Sequence, residues 1–130
     1  PDAARDEAEI VASCADGLIW CTPVTQAWKE TENAVWSRLP GRLKRRTVVA
    51  LTFRDLVVDD KEIERVRDRL EREAGPFRAI VAVSGARDVF AGREELHAAC
   101  RDVAGDIKLD RMVKATRLSE RFLRRLSAEG

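Results

Sequence analysis

Four apolar residues, Val48-Val49-Ala50-Leu51, lead into Thr52-Phe53-Arg54-Asp55. A short, wholly apolar run suits a parallel strand covered on both faces. In open parallel sheets, ligands bind in the loops just past the C-terminal ends of such strands. A carboxylate placed there, as Asp55 would be, can accept two hydrogen bonds from the N1–H and exocyclic amine of guanine. Adenine offers no such donor pair at that edge, so the contact discriminates between the two bases. The flat side chain two residues earlier, Phe53, can cover the base. Two other loops occupy equivalent places, Thr22-Pro23-Val24 and Ser84-Gly85-Ala86.

The remaining reactive residue types make a weaker case. Cys14, Cys21 and Cys100 are odd in number and lack CxxC spacing, so neither a disulfide framework nor a zinc site is indicated, and each is expected to be a small buried residue. His97 has no nucleophile or acid near it in sequence and is expected to be a partly exposed helix residue. Trp28 and Trp36 are expected in the core rather than in a base-stacking platform. No catalytic residue and no metal-ligand set is identified.

The elements that must position these loops follow from periodicity. Residues 2–14 carry Ala4, Ala8, Val11 and Cys14 on one helical face, and Asp16-Gly17 ends that helix. Leu18-Ile19-Trp20-Cys21 is the first strand, followed by a helix over residues 26–39 that stops at Pro40-Gly41. Residues 47–52 form the second strand. Asp59 and Glu62 are spaced as a capping box for a helix with Ile63, Val66 and Leu70 inward, and Gly75-Pro76 closes it. Residues 79–83 form the third strand. A helix over residues 93–103, with Leu96, Ala99, Cys100 and Val103 inward, precedes a separate last helix over residues 107–126. Alternating buried strands and amphipathic helices specify right-handed βαβ units. The expected fold is one α/β domain over residues 1–130, three-layered, with a mostly parallel sheet of about three strands.

At this point the order of motifs resembles a known family. Val48-Val49-Ala50-Leu51-Thr52-Phe53-Arg54-Asp55 resembles the strand and NKxD or TKxD motif of P-loop GTPases. Ala82-Val83-Ser84-Gly85-Ala86 resembles their later strand and Ser-Ala loop, and Ala15-Asp16-Gly17-Leu18-Ile19-Trp20-Cys21-Thr22 resembles the strand after the second switch helix. The resemblance covers roughly residues 1–105 and leans towards the dynamin-like or Era-like branches. It implies that Asp55 reads guanine, that Thr52 supports the loop, and that Ser84, Gly85 and Ala86 lie against the base. The family's lysine is Phe53 here, which can stack on a base but brings no charge to a phosphate. Neither GxxxxGK[ST] nor a DxxG-type motif occurs in the chain, so the β/γ-phosphate cradle and the Mg²⁺ site of the family are not among these residues. The resemblance therefore implies the C-terminal half of a GTPase domain that binds GTP or GDP in an intact parent. This chain alone is expected to be catalytically silent. The alternative is a non-catalytic, GTPase-like scaffold or protein-interaction module.

Composition bounds the partners. With 24 Lys and Arg against 23 Asp and Glu the net charge is +1, so no nucleic-acid partner is expected. No apolar run approaches a membrane span and the N-terminus has no signal-peptide core, which leads to a cytoplasmic expectation. The chain begins at Pro1 without an initiator Met, as a piece of a longer protein would. In such a half-domain the strand around Trp20 would be an open, apolar sheet edge, expected to take up the missing N-terminal half or a second copy. Residues 106–130 form a basic amphipathic helix, with Arg111, Lys114, Arg117, Arg121, Arg124 and Arg125 opposite Met112, Ala115, Leu118, Phe122 and Leu126. Either it is a solvated face covering the sheet or it meets an acidic surface or membrane. Arg42-Leu43-Lys44-Arg45-Arg46 is expected to be a solvent-facing loop. Finally, Asp59-Asp60 superficially resembles the acidic pair of a receiver domain, but the further strands and the Lys that a receiver needs do not follow, and a helix cap explains the pair better.

Overall fold

A computed structural model describes residues 2–85 and 91–129, and for residues 2–6 and 8 the backbone alone. The chain runs α1 (Asp2–Cys14), β1 (Leu18–Pro23), α2 (Glu30–Ser37), α3 (Gly41–Lys44), β2 (Thr47–Thr52), α4 (Asp60–Glu73), β3 (Ala79–Ala82) and α5 (Arg93–Glu129), with 3₁₀ turns at Val24–Gln26 and Arg54–Leu56. The three strands form one parallel sheet in the order β1-β2-β3, with Leu18 opposite Thr47 and Val48 opposite Ala79. The α/β class and the parallel three-stranded sheet with flanking helices are thus present.

Alternation along each strand sorts the side chains into two layers. Val49, Leu51, Ile80, Ala82, Leu18 and Trp20 face a layer made by α2, α3 and α4, where Trp28, Trp36, Leu43, Ile63, Leu70 and Phe77 are buried. Val48, Val81, Ala79 and Val83 face α5, which supplies Leu96, Ala99, Val103 and Ile107. Four aromatic rings dominate the first layer: Trp36 lies 5.8 Å from Trp20, 5.5 Å from Trp28 and 5.0 Å from Phe77, between ring centroids. The core placement of Trp28 and Trp36 agrees with their expected role.

α4 begins where Asp59 caps it, its Oδ1 accepting from the Lys61 backbone N–H at 2.9 Å. That bond reaches the second helical residue, so the cap is an Asp cap without the reciprocal Glu62 arm of a capping box. The helix stops at Glu73, and two residues on, at Gly75, a Cβ would sit 2.5 Å from the Glu71 carbonyl oxygen.

Several expectations change. Cys14 and Cys21 are exposed and Cys100 is only half-buried. The reason for Cys21 is that α5 covers β2 and β3 but not the same face of β1, which also leaves Ile19 54% exposed. On α1 the inward residue is Ala12, while Val11 and Cys14 point to solvent, because this helix packs beside α2 at the sheet edge, where Glu9 pairs with Arg38 at 2.6 Å. His97 is exposed. The expected loop at residues 42–46 contains α3, whose Leu43 is wholly buried and whose Leu43 carbonyl accepts the Thr47 hydroxyl at 2.7 Å. The helix of residues 26–39 is shorter, since a 3₁₀ turn and an extended Ala27 precede Glu30.

The two expected C-terminal helices are one, the 37-residue α5. Gly105 in its interior costs about 1 kcal/mol relative to Ala, but ion pairs hold the helix on both sides of it. Arg78 reaches Asp102 at 2.8 Å and Asp106 at 2.5 Å, so one guanidinium bridges the turn that contains Gly105. Both carboxylates raise the Arg78 pKa, Asp102 most. Further on, Arg46 meets Asp110 at 3.5 Å and Asp16 pairs with Arg111. Lys114 first and Arg46 after it hold the Asp110 carboxyl below its ordinary pKa. Arg78, Arg46 and Asp16 lie just before β3, β2 and β1, so α5 crosses the N-terminal ends of the strands in turn and then leaves the body. The expectation that the basic half of this helix covers the sheet therefore fails: every residue from Arg111 to Glu129 is exposed. Among the described residues no helix is long and apolar enough to cross a membrane.

Candidate functional site

The C-terminal ends of β2 and β3 are knitted together by backbone bonds. The Val83 N–H donates to the Leu51 carbonyl at 2.8 Å and the Arg54 N–H donates to the Val83 carbonyl at 3.1 Å. This pairing sets the two exit loops side by side. Ser84, 2% exposed, then donates its hydroxyl to Asp55 Oδ1 at 3.1 Å, across a sequence separation of 29 residues. The Ser84 N–H donates to the Ala91 carbonyl at 3.1 Å. Gly92 closes the same corner in the left-handed region, at φ 81°, where a Cβ would lie 2.1 Å from the Ala82 carbonyl oxygen.

Those of the sequence-read site residues that the structure describes therefore fall in one place. Asp55 is exposed, and among the described residues it accepts one hydroxyl, from Ser84, which leaves its carboxylate with acceptor capacity for two more donors. Thr52 is half-buried at the end of β2. Phe53 is 54% exposed beside it. Gly85 is exposed, and a Cβ built there meets nothing within 4 Å. Ala86 lies outside the described residues. Arg54 turns the other way, towards Asp60 at 3.7 Å.

Phe53 has φ 60° and ψ 38°, a left-handed conformation that is costly for a bulky side chain. Such strain is stored where surrounding structure fixes it, often at ligand-binding turns. Here it goes with a ring that is 54% exposed, in the turn between β2 and Asp55. Phe53→Asn is expected to stabilise the chain by about 1 kcal/mol, because Asn tolerates this conformation and little packing is lost. A urea-unfolding midpoint that falls instead would contradict the strained-turn account.

The loop after β1 is built differently. Thr22 is wholly buried; its hydroxyl accepts from the Trp28 N–H at 3.3 Å and donates to Glu32 Oε2 at 3.2 Å. Glu32 also accepts from Trp20 Nε1 at 3.1 Å and from the Lys29 N–H at 2.8 Å. This network uses up the polar groups of the first loop internally. Thr22-Pro23-Val24 is therefore a structural corner, and Glu32, which the sequence reading did not single out, is its hub. The available signal was its spacing, three residues after Lys29, as an N-terminal helix cap requires.

A cleft of about 960 Å³ lies at the opposite end of the strands, lined by Arg42, Arg45, Arg46, Arg78 and Arg111 with Asp16, Asp106 and Asp110. Size favours it, but its carboxylates already bind the guanidinium groups that face them, whereas the exposed Asp55 carboxylate, with one acceptor bond among the described residues, stands at the strand ends where ligands of parallel sheets bind. Among the described residues no group of three or more His, Cys, Asp or Glu is arranged to hold a metal ion. No model of a known family, no curated protein and no solved structure matches this chain, so the site is read from its own geometry.

Proposed function

We propose that this chain is the base-recognising, C-terminal half of a guanine-nucleotide-binding, GTPase-like domain. The observation that carries the reading is the Ser84–Asp55 hydrogen bond at 3.1 Å, which unites two loops that sequence alone could only compare separately. Asp55 would accept from N1–H and the exocyclic amine of guanine, Ser84 would orient the carboxylate, and Phe53 would cover one face of the base. Thr52 would brace the turn, and the Gly85 backbone, with no side chain to intervene, would lie against the purine. The consecutive parallel order with β1 at an edge is also what such a half-domain would have.

Phosphate binding and hydrolysis belong, on this reading, to a partner half that supplies the cradle and the metal ligands. GTP or GDP would be the ligand of that intact domain. Contact with the base alone is weak: about 11 heavy atoms at ~0.3 kcal/mol each give about 3 kcal/mol, an affinity weaker than millimolar. Phe53 in place of a lysine favours a second reading, a scaffold that keeps the fold without using nucleotide.

Titration of the chain with GMP and with AMP, followed by amide chemical shifts, separates the two. The base-recognition reading expects shifts at Asp55, Ser84 and Gly85 with millimolar GMP and none of that pattern with AMP. Equal responses to both nucleotides, or no response, would leave the scaffold.

A further inference from the structure

Among the described residues no ion pair or hydrogen bond joins α5 to the body beyond Arg111, and its final 18 residues extend for about 27 Å. The face that packs on the sheet as Leu96, Ala99, Val103 and Ile107 continues as Lys114, Arg117 and Arg121. The opposite, outward face becomes apolar: Met112, Ala115, Ser119, Phe122 and Leu126 follow one another at spacings of three and four residues, the a/d pattern of paired helices. Leu118 and Leu123 flank that seam. Met112, Leu118, Phe122, Leu123 and Leu126 are between 51% and 64% exposed, so nothing described covers them.

We propose that residues 112–126 of α5 form an antiparallel helix pair with the same segment of a second copy of this chain. Size complementarity selects both partner and direction. In the antiparallel register that sets Ala115 against the other copy's Leu126, Ser119 falls against Phe122, so each layer joins one small and one large side chain, and the symmetry repeats both layers. A parallel pair would stack Phe122 on Phe122 and Ala115 on Ala115, which alternates crowding with voids. Lys114, Arg117, Arg121 and Arg124 occupy outward positions of the pair, so association does not press the like charges together. The antiparallel arrangement also places the two bodies at opposite ends of the seam. Covering the open parts of the five large side chains removes roughly 500 Å² per copy and about 1,000 Å² in all, below the ~1,200 Å² where stable interfaces begin and in the range of weak, reversible association. Ser119 in the middle of the apolar face fits a helix partner with a Phe to set against it better than it fits a lipid interface.

Sedimentation velocity over a concentration series tests the pairing. The expected mass rises from 14.6 kDa towards twice that value. Phe122→Glu should hold it at the monomer, while Ile19→Lys, on the exposed face of edge strand β1, should leave association unchanged. In a background where the three cysteines are replaced, the double variant Ala115→Cys with Leu126→Cys should cross-link between copies on mild oxidation, and Ala115→Cys alone should not. A monomer at every concentration overturns the proposal, including one that instead sediments with phosphatidylglycerol vesicles, which would assign the face to an acidic lipid surface. A dimer that survives Phe122→Glu but is lost with Ile19→Lys would assign association to the sheet edge. Efficient cross-linking of Ala115→Cys alone would overturn the antiparallel direction.

Discussion

Trp36→Ala is expected to destabilise the chain by about 3–5 kcal/mol, the usual cost of removing a large aromatic side chain from a packed core. Trp36 is 4% exposed and touches three other rings, with centroids 5.0–5.8 Å away. Its Nε1–H also donates to the Ala74 carbonyl at 3.1 Å, which ties α2 to the end of α4. Loss of the ring opens a cavity between two helices and the sheet and leaves that carbonyl without its donor. Against a typical total of ~5–15 kcal/mol, this is a large share of the stability. For a chain of this size the melting temperature should fall by roughly 10–20 °C. Trp36→Phe should cost less, because it keeps most of the ring contacts and loses mainly the hydrogen bond. Thermal denaturation followed by circular dichroism measures both, and a shift of only a few degrees for the alanine variant would show that this cluster is not the core's centre.

Glu32→Ala is expected to cost about 2–3 kcal/mol, although Glu32 is a half-exposed charged residue of a kind that usually contributes little. Its carboxylate takes three donors at once: Trp20 Nε1–H, the Thr22 hydroxyl and the Lys29 N–H. Water can replace the last of these at the helix start and reach the half-buried Trp20 donor, but the Thr22 hydroxyl is wholly buried and would lose its acceptor. The damage should spread to the Trp28 corner, where φ 65° places a bulky residue in the left-handed region and the Thr22 hydroxyl accepts its N–H. Glu32→Gln should lose less, since one oxygen still accepts, while its amide nitrogen opposes a donor. Urea-unfolding midpoints of the two variants order these effects. Equal stability of Glu32→Ala and the parent chain would remove Glu32 from the role of hub.

The strands were legible because they are short apolar runs bounded by polar loops. The second occupies Thr47–Thr52 as expected, and β1 runs two residues further than its apolar core because Thr22 is satisfied internally. Spacing also located α4 and its Asp59 cap. What periodicity could not convey was which face each helix covers. Val11, Cys14 and Cys21 look inward by type but are exposed, since α1 packs at the sheet edge and α5 leaves one face of β1 bare. Nor could it show that Arg78, distant in sequence, would bridge Asp102 and Asp106 and carry α5 through Gly105 as one helix. At the candidate site the residue types and their place after β2 and β3 were readable, whereas the Ser84–Asp55 contact depends on the register of those two strands and the left-handed turn at Phe53. The Glu32 network stayed hidden because a charged residue in a polar segment carries no sign of how many donors converge on it.

The role of Asp55 can be tested by changing which base it should prefer. Aspartate offers two acceptors, matching the paired donors of guanine. Asparagine offers one acceptor and one donor, which matches xanthine, where a carbonyl replaces the exocyclic amine. The deciding measurement is a chemical-shift titration of the parent chain and Asp55→Asn with GMP and with XMP. The account predicts that the parent prefers GMP and the variant prefers XMP, with the same amides of residues 52–55 and 84–85 responding. An unchanged order of preference in the variant, or no response from those amides, would contradict the assignment of Asp55 as the residue that reads guanine.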